Sequence, residues 1–113
     1  MVVPSTGEVV LVQFPFSDLS ASKLRPAVCL RDAGRGDWIL CQITSSRYAD
    51  PLAIALNAAD FSSGGLLIAS FARPGKLFTA NTSLIARSVG TLSDPAFRRV
   101  RDAVVNLLNS TNP

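Results

Sequence analysis

What most limits the fold of this chain is the shortness of its apolar runs. From residue 7 to residue 92 each spans only a few residues before Gly, Pro or a small polar cluster breaks it. Runs of that length between turn residues build antiparallel strands rather than long helices. Gly7 opens the stretch 8–16, in which Val10, Val12 and Phe14 share one face and Val9 and Leu11 the other, so this strand is expected to be buried on much of both faces. Pro15 restricts pairing, and 17–22 has the composition of a polar loop. A second strand over 26–30, a hairpin turn at Gly34-Arg35-Gly36-Asp37 and an antiparallel partner over 38–44 follow, which suggests a meander. Beyond a loop at 45–51 come a short strand at 52–56 and a loop ending in Gly64-Gly65. A strand at 66–71, a turn at Arg73-Pro74-Gly75-Lys76, an extended 77–79 and a last strand at 85–92 complete the series.

The period then changes. Ser93 or Asp94 can cap a helix with Pro95 in its first turn, and Phe97, Val100, Val104 and Leu107 recur at helical spacing. Five or more short strands and one terminal amphipathic helix predict a mainly β protein, an SH3-like small barrel of antiparallel strands with a C-terminal α-helix. At 113 residues, 48% of them apolar, the chain has material for one core, so residues 1–113 are read as a single domain.

No apolar stretch approaches the roughly 20 residues that span a bilayer, and residues 1–6 lack the pattern of a secretory signal, so a cytoplasmic location is expected. There is no histidine, which removes the commonest general base and the commonest nitrogen ligand for a transition metal. Neither a metal nor a cofactor is expected. Cys29 and Cys41 each lie in an apolar run and are read as reduced packing residues, although a disulfide is geometrically open if their strands pair. The net charge is only +3, but nine of the eleven basic residues are Arg, whose planar fork suits phosphate oxygens. Solvated surface charge accounts for them equally well, and for Arg98, Arg99 and Arg101 on the terminal helix it is the better reading.

Four stretches carry a resemblance: Gly7-Glu8-Val9-Val10-Leu11-Val12-Gln13-Phe14, Arg25-Pro26-Ala27-Val28-Cys29-Leu30, Gln42-Ile43-Thr44-Ser45, and Ala72-Arg73-Pro74-Gly75-Lys76-Leu77-Phe78-Thr79. In order and spacing they resemble the PemK/MazF toxins of type II toxin–antitoxin systems, the last of them the PemK-like branch. The resemblance runs from Gly7 to Leu108. It implies an SH3-like barrel that forms a homodimer, binds single-stranded RNA near the dimer interface, and is inhibited by a cognate antitoxin protein. It also implies metal-independent RNA cleavage through attack of the 2′-hydroxyl on the adjacent phosphate.

Such attack needs a proton acceptor, a donor for the leaving 5′-oxygen, and groups that stabilise the charge growing on the phosphorane. Arg25 matches the family's arginine after the first loop and could serve the last two needs, whereas its pKa, above about 12, makes it a poor base. Thr44 matches the threonine ending the third strand, where a hydroxyl can hydrogen-bond the scissile phosphate, with Ser45 as its helper; the alternative for both is simple strand termination. Arg73 and Lys76, beside the Pro-Gly pair, could contact flanking phosphates or be solvated turn charges. Many family members carry carboxylates at two places where this chain has Ser20 and Ser70, read here as RNA-binding residues, which leaves Asp18 as the nearest acidic substitute for the base. Phe16, Phe71, Phe78 and Trp38 are read as packing residues. Two other functions stay open: a non-cleaving nucleic-acid binder, or a gyrase-inhibiting module of the CcdB type, for which residues 106–113 lack an expected terminal aromatic.

Overall fold

The computed structural model of the chain describes residues 3–14, 23–46 and 50–110. Seven strands and one helix occur among them: β1 (Glu8–Phe14), β2 (Lys23–Gly34), β3 (Asp37–Thr44), β4 (Ile54–Leu56), β5 (Phe61–Gly64), β6 (Ser70–Asn81), β7 (Ile85–Leu92) and α1 (Asp94–Asn109). All pairings are antiparallel, in the order β4-β6-β3-β2-β1-β7-β5. The meander expected for the first three strands is present, with β6 added beside β3 and β7 beside β1.

That order forces curvature. Between β6 and β7 lie four strand spacings, roughly 19 Å if the sheet were flat. The two strands are joined only by the 3-10 turn Thr82–Leu84, and four residue steps reach at most about 14 Å even when fully extended. The sheet must therefore curl, and it forms a half-barrel with α1 on its outside. Val10, Val12, Ala27, Cys29, Trp38, Leu40, Ala80 and Ile85 form the cluster inside the curl. Val9, Val28, Cys41, Ile43, Leu56, Ala72 and Leu92 pack on the outer face with Ala96 and Val100 of α1. As expected, β1 is buried on both sides.

Local chemistry explains the connections. Arg35 and Gly36 both have positive φ, 58° and 81°, as a two-residue type I′ hairpin requires. Ser93 caps α1, accepting from the Ala96 N–H, with a proline in the first turn. Cys29 is paired with Leu40 and Cys41 with Val28, so the two thiols belong to opposite faces of the sheet. That arrangement excludes a bond between them. Burial pushes both thiols up to about 12.

Four local expectations are corrected. Arg73-Pro74-Gly75-Lys76 is not a turn: the four residues lie within β6, opposite Gln42 alone, between the pairs Cys41↔Leu77 and Ile43↔Ala72. A bulge of this kind accommodates a proline that cannot donate to the ladder. Residues 61–64, read as loop, form β5 against β7, and β4 is shorter than 52–56 because Asp50 caps a turn there, its carboxylate accepting from the Leu52 N–H. The stretch 66–71 is strand only from Ser70. No described helix is long and apolar enough to cross a membrane.

Candidate nucleic-acid interface

The outer face of the sheet is covered by α1 at one end only. At the other end lies a cleft of about 650 Å³. Leu11, Pro26, Ile43 and Val89 line it from the strands, and Leu66, Leu67 and Ile68 from the segment between β5 and β6. Glycine geometry holds that segment in place. Gly64 has φ +63°, and a Cβ there would stand 2.3 Å from the Val89 carbonyl oxygen; a Cβ on Gly90 would stand 2.8 Å from the Gly65 nitrogen. The Gly65 N–H donates to that same Val89 carbonyl at 3.0 Å. Backbone thus lies against backbone, and the chain leaving it forms the cleft wall, with Leu67 fully exposed and Ile68 63% exposed.

Arg25, Thr44, Ser45 and Ser70 all line this cleft. The β2–β3 ladder reaches Ala27↔Gln42 at this end, and Arg25 and Thr44 lie two residues beyond it on their strands. Alternation along β2 sets half-buried Arg25 on the side of Ala27 and Cys29, at the rim of the curl. The Thr44 hydroxyl oxygen accepts from the Ser46 N–H at 3.1 Å, which leaves its proton available to an anion. Ser70 is buried and donates to the Ile68 carbonyl at 2.9 Å, so its hydroxyl supports the cleft wall.

Arg73 and Lys76 are absent from the cleft lining. Arg73 forms an ion pair with Asp50 at 2.9 Å, both largely shielded from solvent. This bond, and the Leu52 N–H, hold the Asp50 carboxyl below its usual range. Lys76 is exposed on the β6 bulge. Asp18 and Ser20 lie outside the described residues, as does Phe16.

Sequence reasoning passed over two cations in the lining, Lys23 and Arg87. Among the described residues the charged groups lining the cleft are Lys23, Arg25 and Arg87, with no carboxylate, and the described residues hold no cluster of three His, Cys, Asp or Glu suited to a metal ion. A basic cleft with hydroxyls at one end and aliphatic walls is the profile of a surface that takes an anionic, partly apolar polymer. The family of PemK-like, MazF-like toxins of type II toxin–antitoxin systems matches residues 5–108, and the chain belongs to it.

The fold is shared with solved members. A MazE–MazF structure from Deinococcus radiodurans superposes with a TM-score of 0.77 at 19% identity, covering 97% of this chain and 100% of that one. The Mycobacterium tuberculosis toxin MazF-mt6 gives 0.71 at 16% identity, covering 90% and 96%. An endoribonuclease in complex with its cognate antitoxin from a mycobacterial species gives 0.71 at 14% identity and full coverage of both chains. Among curated proteins, no relative matches the chain by sequence.

Proposed function

We propose that the chain is the toxin of a type II toxin–antitoxin pair, an endoribonuclease that cuts single-stranded RNA without a metal ion, through attack of the 2′-hydroxyl on the adjacent phosphate. The observation that carries this reading is that Arg25 of β2 and Thr44 of β3 both border a cleft whose described charged groups are all cations. A phosphate seated there meets the Arg25 fork, which stabilises the phosphorane and assists departure of the 5′-oxygen, and the Thr44 hydroxyl, which donates to a non-bridging oxygen. Ser45 supplies a second hydroxyl. Asp18 is the candidate proton acceptor. A cognate antitoxin that covers the cleft would silence the enzyme, and the working form is a homodimer in the cytoplasm.

The test is incubation of the purified protein, free of antitoxin and with excess EDTA, with a long single-stranded RNA beside the Arg25→Ala variant. Discrete cuts that leave 5′-hydroxyl and 2′,3′-cyclic phosphate ends are expected. The variant should lose about 10²–10³-fold in rate, as for removal of a main oxyanion donor, while keeping its thermal midpoint. Intact RNA with folded wild-type protein would refute the nuclease and favour a binder that does not cut.

A further inference from the structure

Resting on the nuclease reading, we propose that the Asp50–Arg73 ion pair holds the Thr44 hydroxyl in its working orientation, which makes Asp50 and Arg73 positioning residues. Neither lines the cleft, so an effect on turnover has to pass through another group. That group is Ser46. Its N–H donates to the Thr44 hydroxyl oxygen at 3.1 Å, which occupies a lone pair and leaves the proton to point elsewhere. The orientation of Thr44 therefore depends on where the chain goes after β3.

Chain length does not settle that path. Thr44 of β3 and Ala55 of β4 both pair with Phe71 of β6, so the connection between them crosses two strand spacings, about 10 Å. Fully extended, the same connection could reach over roughly 30 Å. A tie at a fixed point is needed to select one course, and Asp50 supplies it. One carboxylate oxygen accepts from the Leu52 N–H at 2.9 Å, and the Asp50 carbonyl accepts from the Ala53 N–H at 3.3 Å, which builds the turn into β4. The other carboxylate oxygen accepts from Arg73 Nε at 2.9 Å.

The Arg73 end is equally fixed. It opens the bulge opposite Gln42, Pro74 beside it is fully buried, and the Cys41 thiol donates to its carbonyl at 3.2 Å. With side chains only 22% and 13% exposed, the pair is shielded from the water and salt that weaken an ion pair in open solvent. Ser46 is four residue steps from Asp50, so it stays within about 14 Å of this anchor.

A double-mutant cycle on the full-length protein tests the tie, with Asp50→Asn, Arg73→Gln and Thr44→Val, and with Asp60→Asn as the loss of an ion pair elsewhere. On single-stranded RNA, Asp50→Asn and Arg73→Gln should each lower kcat about tenfold, the weight of one misdirected hydrogen bond to a charged group. Affinity for an uncleavable 2′-deoxy-substituted strand should stay within about twofold, because the Thr44 bond strengthens as charge grows on the phosphorane. In a Thr44→Val background the same two changes should cost less than about twofold in kcat, and Asp60→Asn alone should cost no more than that. A second readout needs no cleavage. By NMR of isotopically labelled protein, the Ser46 amide should exchange several-fold faster in Asp50→Asn and Arg73→Gln, as in Thr44→Val, while the amides inside β3 keep wild-type rates.

An equal fall in kcat with and without the Thr44 hydroxyl would overturn the proposal, as would a Ser46 amide unchanged by both variants. A loss of RNA affinity that matches the loss of turnover would also overturn it, since the pair would then act on RNA directly. Wild-type protein that leaves RNA intact would bring down the nuclease reading, and the Ser46 amide would then decide the tie by itself. Normal cutting by wild type beside unaffected variants removes the tie and leaves that reading standing.

Discussion

The two ends of the outer sheet face are built from the same strands and meet different fates. At Val28 and Cys41 the face is sealed by Ala96 and Val100 of α1, all of them essentially inaccessible. Two residues along, at Pro26 and Ile43, the same strands line an open cleft walled by Leu66–Ile68. Strand composition does not distinguish the ends, since both are apolar. What differs is the covering element: an amphipathic helix with two buried valines at one end, and at the other a short segment whose Leu67 and Ile68 lie mostly in solvent. An apolar floor left uncovered beside cations is available to a ligand, and so one β2–β3 ribbon supplies both core and candidate site.

Stability measurements can break this comparison. Val28→Ala, at the sealed end, removes fully buried atoms and leaves a cavity, so it should cost about 2.5 kcal/mol in urea unfolding. Leu67→Ala, at the open end, removes more atoms from a position already in water, and should change stability by less than about 0.5 kcal/mol. Comparable losses would mean that Leu67 is covered in solution and that the cleft is part of a closed core.

These two regions also differ in how much could be read from sequence. Alternation placed Val9 and Val10 on opposite faces of β1, and helical spacing identified Val100 and Val104 of α1, because a side chain buried by a regular element obeys that element's period. The matched motifs singled out Arg25 and Thr44, and both line the cleft. Arg87 escaped because the bulge in β7 breaks the two-residue period between Ile85 and Arg87, so that neighbours of the same parity sit on different faces. The turn expected at 73–76 is absent for a related reason. Pro-Gly reads locally as a turn, and only pairing with β3 turns it into a bulge whose arginine is engaged by Asp50. The cleft wall at 66–69 has the composition of a strand, but the described residues give it no partner strand.

The wall's placement yields a smaller effect. Gly64→Ala puts a Cβ against the Val89 carbonyl oxygen and the Gly90 Cα. β5 must shift to relieve it, at a cost of about 1–2 kcal/mol. Because the displaced strand leads directly into Leu66–Ile68, affinity for single-stranded RNA should fall together with stability, unlike Val28→Ala, which should unfold more readily while binding normally below its transition. Stability loss without any change in RNA affinity would separate the wall from the site.

The smallest effect concerns the polar ties at each end. Asp60 accepts from the Asn57 N–H at 2.8 Å and pairs with Arg99 of α1 at 3.0 Å, and Asp50 is held by Arg73 and the Leu52 N–H. The Asn57 bond and then Arg99 lower the Asp60 carboxyl, and Arg73 followed by Leu52 lowers Asp50. Since both folded-state values lie below the unfolded value near 3.9, their stabilisation is complete above that pH and is lost as pH falls through the folded values. The thermal midpoint should therefore hold steady from neutral pH to about 5 and decline below about 4. Asp60→Asn and Asp50→Asn should each flatten that decline. Because Arg99 is half exposed, added salt should shrink the difference between wild type and Asp60→Asn. An acid decline left unchanged in both variants would show that other carboxylates govern acid stability, and that α1 and the β6 bulge are held by packing alone.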